Sequence, residues 1–306
     1  MVASGEFLLQ ERNPWTEATG SAAYPALKIY QEEGRYLCAR NELISVRFDM
    51  ATGKLTSLRL GGSEILHGLG GPTFHGYRYI SNDGTRFVID GKDESVEERT
   101  RVTAFRFFEK DGILKVETSL EATAGVTVVP YAVTYEVYPE GLVDVDARFE
   151  VKGSLPRIGL QLLLNPAYEY LKWYGRGPME NYQDRKDCAF LGIYENTVEG
   201  MAEQYVRTQS MGERTDTRWL SFATGDGRSV TFTADGSFDF SALHYTDVDL
   251  YRVKYLNDLP NVRRSEVVLV LDCLQQGLGN GSCGPGPLPQ YSVQPGNYGF
   301  RFRIAR

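Results

Sequence analysis

The dominant period along the chain is two. Val143, Val145, Ala147, Phe149 and Val151 alternate with Asp144, Asp146, Arg148 and Glu150. Leu114, Val116, Thr118 and Leu120 alternate with Lys115, Glu117, Ser119 and Glu121, and Phe300, Phe302 and Ile304 with Arg301 and Arg303. Successive side chains of a strand point to opposite faces, so each run predicts an antiparallel strand with one buried and one wet face. Turn signals separate the runs: Thr52-Gly53, Gly61-Gly62, Asp83-Gly84, Asp111-Gly112, Pro139-Glu140-Gly141, Asp226-Gly227 and Asp235-Gly236. Aspartate-glycine steps between alternating runs are a strong hairpin signal. Helix is scarce. Thr246-Asp247-Val248-Asp249 reads as a capping box that opens a short helix through about Tyr255, with Asp258-Leu259-Pro260 as its stop. The pattern predicts an all-β chain with one or two short helices.

Composition narrows the classes of function. The 306 residues suffice for one large β domain or two ordinary ones, and 42% hydrophobic residues supply an ample core. A net charge of −7 argues against DNA or an anionic membrane as the main partner. No apolar run approaches the roughly 20 residues that span a bilayer. Met1–Phe7 lacks the basic and apolar regions of a signal peptide. A soluble protein is expected, cytoplasmic or periplasmic, with the compartment open. Cys38, Cys188, Cys273 and Cys283 show no C-x-x-C spacing. They read as buried thiols, although two disulfides remain compatible. Neither metal nor cofactor is expected, since phosphate-loop, dinucleotide, zincin and serine-hydrolase motifs are all missing.

The densest chemistry lies in Trp173-Tyr174-Gly175-Arg176-Gly177-Pro178-Met179-Glu180-Asn181-Tyr182-Gln183-Asp184-Arg185. Gly and Pro suggest a turn-rich path, and the charges suit bidentate ion pairs. Arginines lie close in sequence to Glu180 and Asp184, and ion-paired carboxylates suit a structural knot better than general-acid work. Arg214-Thr215-Asp216-Thr217-Arg218-Trp219 reads as an Arg–Asp network at a strand start. Of three histidines, His67 is expected at a strand end and His244 in a structural role just before the helix cap. His75, Arg78, Asn82 and Asp83 share an aromatic-rich segment of residue types that bind sugar hydroxyls, or else form an aromatic-lined turn. Between Asp272 and Arg301 no charge occurs, and the glycine-rich centre Gly277–Pro287 can lie flat against another surface.

These residues carry a resemblance. Arg157-Ile158-Gly159, then Trp173, Gly175, Gly177, Pro178, Glu180, Asn181, Tyr182, Asp184 and Arg185, look like the R-I-G … W-x-G-x-G-P-x-E-N-Y-x-D-R signature of the last domain of β-galactosidases in glycoside hydrolase family 2. Arg78 with Asn82-Asp83, Arg214-Thr215-Asp216 with Arg218-Trp219, and Gly277-Leu278-Gly279 through Tyr291 extend it in order. The resemblance implies a large antiparallel β-sandwich of the galactose-mutarotase-like supersandwich type over residues 27–306. It also implies that residues 1–26 are the tail strand of a preceding immunoglobulin-like domain plus a linker. The family's two catalytic glutamates belong to a (β/α)8 barrel, for which this chain has no room. The implied role is a module of a β-galactosidase, inactive alone, that contacts its barrel and lines a galactoside or other carbohydrate site. Asn280, Ser282 and Cys283 are then the expected substrate contacts, with His75, Arg78, Asn82 and Asp83. Cys283 stands where well-known members carry a sugar-stacking Trp, which puts that stacking contact in doubt. The alternative is a stand-alone aldose-1-epimerase-like enzyme or sugar-binding module. That reading needs His244 or His75 to work with Glu180 as base and acid.

Overall fold

A computed structural model describes residues 24–79, 81–82, 85–86, 99–124, 127–279 and 285–306. Its first sheet is a five-stranded meander: β1 (Lys28–Glu32), β2 (Tyr36–Arg40), β3 (Ile44–Asp49), β4 (Lys54–Leu60) and β5 (Ser63–Glu64). Two short elements, β6 (Thr73–His75) and the hairpin β7 (Ser81–Asn82) with β8 (Thr85–Arg86), lead to the main sheet. Its strands are β9 (Arg99–Lys110), β10 (Ile113–Ala124), β11 (Thr127–Tyr138), β12 (Leu142–Val151), β13 (Arg157–Leu164), β14 (Tyr170–Gly177), β15 (Phe190–Thr197), β16 (Arg214–Ala223), β17 (Ser229–Leu243), β18 (Val267–Gln275) and β19 (Gly296–Ala305). One helix, α1, covers Asp247–Arg252.

The long path of the main sheet runs β15-β14-β16-β17-β19-β12-β11-β10-β9. The 15-residue β17 joins this path to a branch. β16 pairs with it from Ser229 to Phe240, Thr231–Ala234 pairs with β19, and Asp239–Leu243 pairs with β18, which continues to β13 and β6. All strand pairs are antiparallel, as the alternation predicts.

The three runs picked out by period fall within β12, β10 and β19, with their apolar members buried and facing one core. Phe48 of the first sheet meets Tyr135 of the main sheet edge-on at 5.1 Å, so the two sheets share that core. Gly71 lets the chain before β6 lie against β4: a Cβ there would sit 1.7 Å from the Leu55 carbonyl oxygen.

Several local expectations are corrected. Asp235-Gly236 is not a hairpin turn; it lies inside β17, where Gly236 adopts φ +95° as the strand leaves its β19 partner. The Thr246 capping box forms, but the helix ends at Arg252, and Leu256–Val262 continues as a 3-10 helix with Pro260 inside it. The first half of Trp173–Arg185 is strand β14 rather than turn, and loop begins only after Gly177. Cys38 is buried, but Cys188 is exposed rather than a core thiol, and Cys38, Cys188 and Cys273 are all free. Phe7–Gln10, Asp83-Gly84 and Cys283 lie outside the described residues. No helix of the described residues is long and apolar enough to cross a membrane.

Candidate functional site: an ionic cluster inside the sandwich

Arg157 opens β13 and is 2% exposed. Its guanidinium donates to three carboxylates: Asp272 at 2.5 Å, Asp247 at 2.9 Å and Glu213 at 3.2 Å. Asp272 comes from β18, Asp247 from the first turn of α1, and Glu213 from the approach to β16. His75, in β6, places Nε2 2.7 Å from the same Asp247 oxygen, and Gln275 donates to Glu213 at 3.2 Å. Gly159 makes room, since a Cβ there would lie 2.1 Å from Asp272 Oδ1.

Burial and charge pull these acids apart. Burial pushes Asp247 up, but the His75 hydrogen bond and the charges of Arg157 and His75 outweigh it and hold the carboxyl at about 2. Glu213 rises well above the carboxylate range, through burial first and the Asp272 charge second, against the pull of Arg157. Asp272 rises for the same leading reason. Three acceptors of the cluster, Glu213 Oε1, Asp272 Oδ1 and Gln275 Oε1, have no hydrogen-bond partner among the described residues. A buried acid facing another and short of donors favours its protonated form.

The Trp173–Arg185 segment wraps this cluster. Trp173 is fully buried between Tyr194 and Phe240, and its indole donates to the Arg176 carbonyl. Gly175 abuts Thr217, where a Cβ would lie 2.5 Å from the hydroxyl. Gly177–Pro178 is a cis peptide, and the Pro178 carbonyl accepts from Arg214. Arg185 pairs with Glu180 at 2.5 Å, and Glu180 also accepts from Tyr205 and from the Gly212 amide. Asn181 is fully buried, and its Oδ1 accepts from the Thr215 amide at 3.0 Å and hydroxyl at 2.6 Å. Tyr182 lies under the guanidiniums of Arg78 and Arg185.

Two sequence readings need correction here. Asp184 takes no arginine; it accepts the backbone amides of Leu278 at 2.9 Å and Gly279 at 2.6 Å. The Asp216 carboxylate sits in a charge network with Arg176 at 2.6 Å and Lys186 at 3.1 Å, while its sequence neighbour Arg218 donates to its backbone carbonyl. These partners outweigh the burial that pushes Asp216 up, so its pKa is lowered. Above Asp216, buried Asp239 accepts from Gln183 and from the Asp216 amide, and burial raises its pKa to about 7.

Of the expected substrate contacts, His75 and Arg78 are 4% and 1% exposed. Arg78 donates to the Gln276 carbonyl at 2.5 Å and the Gly277 carbonyl at 3.1 Å. Arg78 and Asp184 therefore grip the start of the glycine-rich loop through its carbonyls and amides. Asn82 lies in β7 with its side chain outside the described residues, as are Asp83, Asn280, Ser282 and Cys283 entirely.

Neither histidine is paired with Glu180. His244 has Nδ1 3.0 Å from the Glu266 carbonyl and Nε2 3.0 Å from Glu169, the structural role expected of it. Sequence reasoning overlooked Glu213, Asp247, Asp272, Gln275 and Asp239 as partners of one site. A signal existed: Asp272 ends the wholly apolar Val267–Leu271, and Asp239 interrupts Phe238 and Phe240.

The sequence pattern of the family described as beta galactosidase small chain matches residues 40–304. The chain belongs to that family. This small-chain domain is 26% identical over 266 residues to a β-galactosidase of Priestia megaterium, covering 84% of the chain and 25% of that protein. It is 31% identical over 175 residues to one of Staphylococcus xylosus (56% and 17%) and 26% identical over 292 residues to one of Kluyveromyces lactis (89% and 27%). The chain thus spans about a quarter of the length of the β-galactosidases that it matches over most of its own length. Among solved structures, the small-chain domain aligns with a galactose mutarotase related enzyme of Lactobacillus acidophilus at TM-score 0.45 and 9% identity, covering 88% and 96% of the two chains. A C. elegans aldose epimerase homologue aligns at TM-score 0.48 and 10% identity, covering 87% and 96%.

Proposed function

We propose that this chain is a non-hydrolysing module of a β-galactosidase, which packs against the catalytic (β/α)8 barrel and borders its galactoside site. The observation that carries the reading is the family match over residues 40–304. The geometry supports it. Glycoside hydrolysis needs two carboxyl groups facing one bond across an open cleft. The acids of the cluster instead face Arg157 inside the core, and Glu180 is taken up by Arg185, Tyr205 and the Gly212 amide. Buried Arg78 and half-buried Asp184 set the backbone direction of the loop that starts at Gly277. Cys283 in place of a stacking aromatic weakens the grip on the part of the substrate beyond the galactose.

The test is a chimera. The matching segment of the P. megaterium β-galactosidase is replaced by this chain, and hydrolysis of a nitrophenyl β-galactoside is compared with the same enzyme lacking the segment. Activity restored by the graft is the expected result. A chimera that is soluble and folded, yet no more active than the deletion, overturns the reading.

A further inference from the structure

A cleft of about 350 Å³ opens beside the ionic cluster. Its walls come from β4 (Lys54), β6 (Thr73, His75), β9 (Thr100), β13 (Gln161, Leu163), the start of α1 (Thr246, Asp247, Val248), Arg252 and Arg264. Cationic side chains outnumber carboxylates in this lining: Lys54, Arg252 and Arg264 against Asp247 alone. That carboxylate is already engaged from beneath by Arg157, His75 and Ser210. Arg264 leans on Asp249 and Glu266.

Lys54 differs from the others. It makes no hydrogen bond or ion pair among the described residues, and Asp49, whose charge it feels, is held by Arg35 at 2.6 Å. Burial lowers its pKa, the response of a half-desolvated ammonium without a counter-ion at contact. The Gln161 amide, also in the lining, likewise makes no side-chain hydrogen bond among the described residues. Both side chains are half-buried and uncommitted among the described residues, so both can turn to a ligand in the cleft.

We propose that this cleft binds a hydroxylated oxyanion of monosaccharide size, a sugar acid or a sugar phosphate, with its anionic group on Lys54 and a sugar hydroxyl on Gln161. The size lies within the range of small-ligand pockets, roughly 300–1,000 Å³. The hydroxyls of Thr73 and Thr100 add donors and acceptors for further sugar oxygens, while Leu163 and Val248 offer an apolar wall to a ring face. Lys54 acts as a point charge, which accepts carboxylate and phosphate alike.

Calorimetric titration of the 306-residue chain tests the proposal. The probes are galacturonate, glucuronate and galactose 6-phosphate, with galactose and inorganic phosphate as controls. At least one charged sugar should bind saturably, one to one and tighter than galactose, with affinity falling as sodium chloride is raised. Lys54→Met should weaken that binding at least tenfold, and Gln161→Leu should weaken it severalfold with thermal stability unchanged. Preference between uronates and the phosphorylated sugar then tells which oxyanion the site takes. No saturable binding of any charged sugar overturns the proposal, as does equal affinity in the Lys54→Met and Gln161→Leu proteins. Inorganic phosphate binding as tightly as galactose 6-phosphate would refute the sugar component.

Discussion

The strands β9–β12 with β19 and the region around β13, β18 and the second half of β17 belong to one sheet but are held differently. In the first, apolar residues alternate with polar ones, most of which reach water, although Asp144 and Thr118 are buried. Asp146–Arg148 is such a pair, with Arg148 65% exposed at its side chain. In the second, charges themselves are inside: Arg157, Asp272 and Glu213 are at most 2% exposed. Apolar burial stabilises the first region in proportion to area. The second depends on the buried Arg157 that its acids share, because an ion left alone in the core is far more costly than a surface ion pair is favourable. Its acids converge on one buried guanidinium.

The sharpest way to break this comparison is to remove the hub. Arg157→Met should cost about 3–5 kcal/mol in urea unfolding, since it leaves three buried acids without their cation. A loss below about 1 kcal/mol would mean the cluster is not held by Arg157. Next comes pH. Asp239 has a folded pKa of about 7, above its unfolded value near 3.8, so the native state binds the extra proton. Stability therefore falls as pH rises from about 4 to about 7, with a slope from this group of up to about 1.4 kcal/mol per pH unit. Asp239→Asn should flatten that limb; an unchanged slope contradicts the assignment. Asp247, with its pKa lowered to about 2, has the opposite sign: its contribution is full above pH 4 and lost on acidification through about 2. Gly159→Ala should cost about 1–3 kcal/mol by pushing a methyl into Asp272. The smallest effect belongs to the wet face: Arg148→Met should change stability by less than about 1 kcal/mol.

The same contrast explains what the sequence disclosed. Val143–Val151 declared its strand, its buried face and its partners' character, because alternation is a local consequence of strand geometry. Trp173–Arg185 marked the family. Yet proximity in sequence assigns Asp184 and Asp216 to neighbouring arginines, whereas their partners lie elsewhere in the chain: the amides of Leu278 and Gly279, and Arg176 with Lys186. Contacts such as Arg157 with Asp272, 115 residues apart, arise from the pairing of β13 with β18 and leave no periodic trace. Glu213, Asp247 and Gln275 were unreadable for that reason. Asp235-Gly236 misled because the residue pair that turns a hairpin also serves a bend within a long strand.

The central claim is the proposal that this chain, taken alone, hydrolyses no β-galactoside. Its most direct test is the release of nitrophenol from a nitrophenyl β-galactoside by the purified 306-residue chain alone, with Glu180→Gln as companion. Release no faster than in buffer is the result predicted for both proteins. Saturable hydrolysis by the chain, abolished in Glu180→Gln while the fold persists, would contradict it.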